Sequence, residues 1–194
     1  MKTLKLRKIL LTITCAMLLV ALTVGATYAY LTSTASVQNT FTVGNVIITM
    51  DETDVDNSTP DKDRDTANSY HLLPGQTYTK DPIVHVDPVS ENCWVFIKVD
   101  NQLANIEGEN TIAKQIRANG WKELDGVPGV YYQSYTKGQK DKDLKTFAEV
   151  QIAATVDNDT LAGYNNNTVT INAYAIQADG IGTAAEAWKL GNWN

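Results

Sequence analysis

Cys93-Trp94-Val95-Phe96-Ile97-Lys98-Val99 is the stretch on which the fold turns. A strand with one wet face alternates apolar and polar residues, but here both alternating sets are apolar as far as Lys98. That pattern is expected of a central strand covered on both faces. Around it, the chain must supply neighbouring strands on either side and layers above and below.

Upstream, Gln76–Val86 alternates around Pro82, whose missing N–H suits an edge position or a strand start. Leu72-Leu73-Pro74-Gly75 before it reads as a turn. Asp51–Asn68 is acidic and polar, contains Pro60 and has no apolar period, so residues 51–69 are expected to form a mobile acidic loop. Thr40–Met50 reads as a strand with Gly44-Asn45 as a bulge or tight turn. Downstream, Asn110 suits an N-cap, Ile112, Ala113 and Ile116 share a helix face, and Gly120 suits the left-handed C-terminal position. Strands are expected at Trp121–Leu124, Gly129–Tyr135, Thr146–Val156 and Thr168–Ala178. In the last of these Val169, Ile171, Ala173 and Ala175 face one way. A second short helix is expected over Thr183–Leu190, with Trp188 and Trp193 packing the C-terminus down. Many short strands, frequent turn residues and one or two short helices indicate an all-β protein, a β-sandwich. No internal repeat or low-complexity linker divides it.

The N-terminus has a different character. Met1–Lys8 carries four basic residues, Ile9–Gly25 is an uncharged and mainly apolar run, and Ala26-Thr27-Tyr28-Ala29 ends on a small residue. That order is an export signal, which places the mature protein outside the cytoplasm, secreted or at the cell surface. A retained anchor is the alternative. The run of 17 residues spans about 25 Å as a helix against a hydrocarbon core of about 30 Å, and Thr12, Thr14 and Thr23 interrupt it. Cleavage is expected after Ala29 with Thr27 at the −3 position, or alternatively after Ala26. The signal is thus 1–29 and the single mature domain 30–194.

Removing the signal takes away four basic residues and no acidic ones, leaving 12 against 22 and a net charge of −10. Nucleic acid and anionic lipid surfaces both call for a cationic footprint, so neither is an expected partner, and membrane contact is expected only through an uncleaved signal. About 165 mature residues suffice for one domain with a substantial core. Cys15 leaves with the signal, so Cys93 has no intrachain disulfide partner and is expected to be a buried thiol.

Residues suited to catalysis are scarce. His71 and His85 are the only histidines and neither lies in H-E-x-x-H. There is no G-x-S-x-G and no phosphate-binding glycine loop. Asp61, Asp63 and Asp65 have the D-x-D-x-D spacing with which a calcium loop begins, but the sixth position is Thr66 rather than Gly and the twelfth is Leu72 rather than Glu. No catalytic residue and no cofactor is assigned. The N-x-S/T triplets at Asn57, Asn158 and Asn166 matter only where the source glycosylates them.

Tyr30–Met50 contains no charged side chain. Within Tyr30–Gln38, if extended, Leu31, Ser33, Ala35 and Val37 lie on one face. Edge strands are normally protected by charge or proline, and this segment has neither. It can add itself to an open sheet edge in a neighbouring molecule, or fold back as the first strand of its own sheet. Both placements remain open at this level.

Several of these segments, taken in order, resemble a known family. Ala26-Thr27-Tyr28-Ala29-Tyr30-Leu31-Thr32 is similar to the junction of exported proteins processed by the signal peptidase SipW. Phe41-Thr42-Val43-Gly44-Asn45-Val46-Ile47-Ile48 resembles the strand that follows this junction in the TasA/camelysin family, and Leu72–Lys80 resembles that family's leucine–x–proline–glycine turn. The resemblance covers roughly residues 1–100. It implies a jelly-roll-like sandwich and a fibre-forming subunit of a biofilm matrix in Gram-positive bacteria, polymerised by donor-strand exchange. Tyr30–Gln38 would be the donor, with Leu31, Ser33, Ala35 and Val37 inward. The implied partners are further copies of the chain, a SipW-type signal peptidase, and an accessory matrix or anchor protein. Camelysin relatives have been classed as metallopeptidases, a class for which this chain shows no zinc motif. A cell-surface metallopeptidase and a monomeric surface adhesin are therefore the competing expectations.

Overall fold

The computed structural model describes residues 7–8, 10–18, 44–58, 63–191 and 193. The chain divides into two units, 1–42 and 43–194, each described by itself. In the first unit the described residues are helical, and Thr12 and Thr14 return their hydroxyls to the carbonyls of Lys8 and Leu10. No helix among the described residues is long and apolar enough to cross a membrane.

The second unit is built from antiparallel strands. In chain order these are β1 (Ile48–Thr53), β2 (Arg64–Asp65), β3 (Thr77–Thr79), β4 (Ile83–Val86), β5 (Cys93–Asn101), β6 (Lys122–Glu123), β7 (Val130–Tyr135), β8 (Asp143–Lys145), β9 (Glu149–Gln151) and β10 (Val169–Gln177). Three short helices intervene: α1 (Ile112–Ala118), α2 (Asn158–Ala162) and α3 (Ala184–Leu190). One sheet has the order β2-β1-β4-β8, a second the order β10-β5-β7-β6, and β3 pairs with β9 as a ribbon. The all-β class expected from the sequence is the class observed. The strand order is reported in place of a jelly-roll label, which these pairings do not establish.

β5 lies inside its sheet, paired with β10 along its whole length and with β7 from Cys93 to Lys98. Its two apolar faces enter two cores. Cys93, Val95 and Ile97 join Val84, Val86 and Leu144 of the first sheet in the larger core, which therefore lies between the sheets. Phe96 points the other way into a smaller core closed by Ala184 and Ala187 of α3. There Phe96 packs against Trp188 and Trp193 with ring centroids 5.2 and 5.7 Å away. The capping box between Thr183 and Glu186 fixes the start of α3.

Two expected strands differ from what is observed. Gln76–Val86 divides into β3 and β4, and Thr146–Val156 shortens to β9, with β8 ending just before it at Lys145. Both chains cross from the ribbon to the first sheet at one corner. There the Pro82 carbonyl accepts from the Thr146 amide at 3.1 Å and from the Thr146 hydroxyl at 2.7 Å. Proline opens β4 and donates nothing, while buried Thr146 satisfies the carbonyl that the corner leaves over. α1 is capped by Thr111 rather than Asn110, with Gly120 at φ +86° beyond its end as expected. α2, capped by Asp157, is a helix that the strand-and-turn reading did not anticipate.

The expected strand Thr40–Met50 begins only at Ile48, with residues 40–43 outside the described ones. It then continues to Thr53, and Arg64–Asp65 pairs back onto Glu52 and Thr53. Within the expected 51–69 loop, Asp51–Thr53 and Arg64–Asp65 are therefore strand, although they have no apolar period. Polar contacts supply the stabilisation instead.

Candidate functional site

Those polar contacts centre on Arg64. Its guanidinium reaches Asp51 at 2.5 Å and Asp81 at 3.1 Å, and its Nη2 donates to the main-chain carbonyls of both residues. Asp81 also accepts from the amide and hydroxyl of Thr53. Burial raises the carboxyl pKa of Asp51 and Asp81, but the Arg64 guanidinium, with His85 beside Asp51 and Thr53 on Asp81, outweighs it and holds both below 3.8. Beside them Glu52 is 4% exposed, paired with Lys80 Nζ at 2.7 Å and accepting from Asn68.

His85 stands between two carboxylates. Its Nδ1 is 2.7 Å from Asp143 of β8, and its Nε2 is 3.2 Å from Asp51 of β1, at ion-pair distance but without hydrogen-bond alignment. Burial alone would lower its pKa; Asp143 and Asp51 reverse the sign and raise it above 6.5. The side chain thus clips β1 and β8 to either side of β4. His71 lies exposed on the chain before β3. A catalytic zinc centre needs three nitrogen, sulfur or carboxylate ligands around an open position. Neither histidine belongs to such a group among the described residues.

One carboxylate group does converge: ligand oxygens of Asp54, Asp56 and Asp65 lie within 4.8 Å of one another. The D-x-D-x-D spacing pointed to Asp61, Asp63 and Asp65. Of these, Asp61 lies outside the described residues, Asp63 presents its main-chain carbonyl to the Asp54 amide, and Asp65 joins residues from the opposite arm of the hairpin. An all-carboxylate set suits a hard cation rather than zinc. Its oxygens already accept hydrogen bonds from the chain: Ser58 and Ser69 amides on Asp56, and the Ser58 hydroxyl on Asp65. These bonds staple the hairpin.

Among the described residues two strand edges have no further strand paired along them. Among the described residues β10 pairs only with β5, although it runs for nine residues, Val-Thr-Ile-Asn-Ala-Tyr-Ala-Ile-Gln, with no charge and no proline. Ile48–Asp51 of β1 pairs only with β4, since β2 covers no more than Glu52 and Thr53. β1 and β10 approach within 8 Å between Cα atoms, and a cavity of about 940 Å³ opens beside them. Met50, Leu72, Tyr78, Leu161, Tyr164 and Ile171 are among its walls. The sequence reading missed this edge. Its signal in the sequence is the uncharged, proline-free run Val169–Gln177.

Cys93 is fully buried, and burial pushes its thiol up to about 11. Thr27 and Ala29 at the expected cleavage site, and Leu31, Ser33, Ala35 and Val37 of the expected donor segment, lie outside the described residues. No curated protein and no solved structure matches the chain. A family profile does match, over residues 3–173, which is most of the sequence. The chain belongs to the family described as camelysin metallo-endopeptidase.

Proposed function

We propose that this chain is an exported structural protein, a self-assembling subunit of an extracellular or biofilm-matrix fibre. Its mature N-terminal segment, Tyr30–Gln38, completes a sheet in a neighbouring copy. Cleavage after Ala29 by a SipW-type signal peptidase would free that segment, and an accessory matrix or anchor protein would tie the fibre to the cell. The observation that carries this reading is a coincidence of two uncharged, proline-free segments in one chain. Tyr30–Gln38 has no charge and no proline, and neither does the nine-residue edge β10. Soluble monomers ordinarily blunt such edges with charge, proline or a bulge.

The family's printed description favours a second reading, a surface metallopeptidase. The side chains fit it poorly. His85 is committed to Asp143 and Asp51, and the one convergent ligand group described is made only of carboxylates. No catalytic step is therefore assigned. A monomeric adhesin is the remaining alternative and differs in oligomeric state.

Two measurements separate the three. Mature Tyr30–Asn194 and a form beginning at Thr40 are imaged after identical incubation; fibres from the first and none from the second are expected. Equal assembly by both forms would remove the donor role, and two monomers would favour the adhesin. Casein cleavage by the purified protein, abolished by a chelator, would establish the peptidase instead.

A further inference from the structure

We infer that the cavity at the seam between β1 and β10 is a binding site for a short, uncharged oligosaccharide of N-acetylhexosamine units. The inference stands apart from the assembly reading, because it concerns a concave site on one folded chain and needs no second copy.

The cavity, of about 940 Å³, falls in the range that encloses ligands of drug size. It has an apolar floor and a polar rim. Met50 of β1, Leu72, Leu161 and buried Ile171 of β10 form the floor and belong to, or pack against, the core between the sheets. Two tyrosine rings beside them are already fixed. Tyr70 and Tyr78 meet edge to face with ring centroids 6.0 Å apart. The Tyr70 hydroxyl donates to the Thr79 carbonyl at 2.8 Å, and the Tyr78 hydroxyl accepts from the Leu73 amide at 2.6 Å. Rings held in this way offer contact area at little cost in conformational entropy.

The rim comes from α2 and the turns that follow it. The Tyr164 amide donates to the Leu161 carbonyl at 2.9 Å and the Asn167 amide to the Tyr164 carbonyl at 3.1 Å. Asn166 turns the chain at φ +65°, a conformation that asparagine tolerates better than most side chains. Asn158, Asn165 and Asn166 are thereby brought, exposed, to one lip of the cavity. Among the described residues neither their side-chain amides nor the Tyr164 hydroxyl has a hydrogen-bond partner.

Charge decides the class of ligand. On the walls Glu52 is paired with Lys80 at 2.7 Å and Asp51 with Arg64. Exposed His71 aside, no cation is left over for a phosphate or a carboxylate, and no carboxylate for an amine. A bare acyl chain would use the floor and leave the amides idle. A neutral N-acetylated sugar uses both parts. Its C–H faces lie against tyrosine, its acetamide methyls reach the apolar floor, and its hydroxyl and acetamide groups meet side-chain amides that donate and accept at once.

The test is isothermal titration of mature Tyr30–Asn194 with N,N′,N″-triacetylchitotriose, which reads binding whether or not the chain goes on to assemble. Saturable binding is expected. It should be about tenfold weaker in an Asn158→Ala/Asn165→Ala variant and several-fold weaker in Tyr164→Phe, with melting temperatures unchanged. Both asparagines are exposed and Tyr164→Phe keeps the ring, so neither variant disturbs the fold. Lys122→Ala, on β6 at the opposite edge of the β10 sheet, should bind as the unaltered chain does. Cellotriose, which lacks acetamides, and deacetylated chitotriose, which carries amines, should bind much more weakly. Diacetylchitobiose compared with the disaccharide of N-acetylglucosamine and N-acetylmuramic acid separates a neutral matrix glycan from a cell-wall strand, and the neutral sugar should bind more tightly. No saturation at millimolar sugar, equal affinity in the cavity variants, or cellotriose, the deacetylated or the acidic sugar bound as tightly would overturn the site. Fibres from a chain that binds none of these sugars would leave assembly standing and remove this inference alone.

Discussion

β5 and the β1–β2 hairpin are held by opposite means. β5 buries Val95, Phe96 and Ile97 completely, with no side-chain polar group to satisfy. The hairpin buries Glu52 and half-buries Arg64, Asp51 and Asp81, and stands only while those charges find one another. Apolar burial does not titrate, while a charge network depends on pH and is screened by salt. The same body therefore contains a robust layer and a conditional one, and the conditional one borders the β1 edge of the seam.

The largest expected effect tests the robust layer. Phe96→Ala removes a ring packed against Trp188, Trp193 and Tyr132 and should cost about 3–5 kcal/mol. Urea unfolding would read that loss, which should be the same at pH 5 and pH 8. A loss of under about 1 kcal/mol would place Phe96 outside a packed core.

Lys80→Met tests the conditional layer. It leaves the buried Glu52 carboxylate without its cation and should cost about 3 kcal/mol. Pairing the change with Glu52→Gln should restore much of the loss, and a double-mutant cycle measures the coupling. Strictly additive single losses would mean that the pair is not a unit.

A smaller effect concerns His85, which holds its proton more tightly folded than unfolded. Its contribution is complete below its ordinary value of 6.5 and is lost as pH rises through the raised folded value. Asp51 and Asp81 behave oppositely: their contribution is present above 3.8 and is lost as pH falls through their lowered folded values. His85→Gln should flatten the alkaline side of the stability profile and leave the acid side in place. An unchanged alkaline slope would remove His85 as the clip between β1 and β8.

The smallest effect is at Cys93. Its thiol, raised to about 11 by burial, should resist alkylation at neutral pH until the protein unfolds. Labelling as fast as a free thiol would contradict its place in the core.

What could be read from the sequence divides along the same line. Apolar periodicity located β5, β7 and β10, and capping and turn chemistry located α1, α3 and the turn at Gly75, because each of these signals is local in the chain. The hairpin was not legible: Arg64 meets Asp81 across 17 residues and Lys80 meets Glu52 across 28, and no periodicity encodes such pairs. The carboxylate group likewise draws Asp54 and Asp56 from one arm and Asp65 from the other, so a spacing rule within one segment chose different partners. The break at Thr146 between β8 and β9, which belong to different sheets, depends on Thr146 meeting Pro82, again a distant contact. The proposed donor segment Tyr30–Gln38 is a reading of the sequence alone, while the place of β10 at the edge of its sheet among the described residues needed the strand order.

Sedimentation velocity of mature Tyr30–Asn194 carrying Leu31→Asp tests the central claim most directly. A carboxylate buried unpaired in a neighbour's sheet is strongly disfavoured. The variant should therefore sediment as a monomer with the melting temperature of the unaltered monomer, under conditions in which the unaltered protein forms large assemblies. Assembly of Leu31→Asp to the same size and at the same rate would contradict the account.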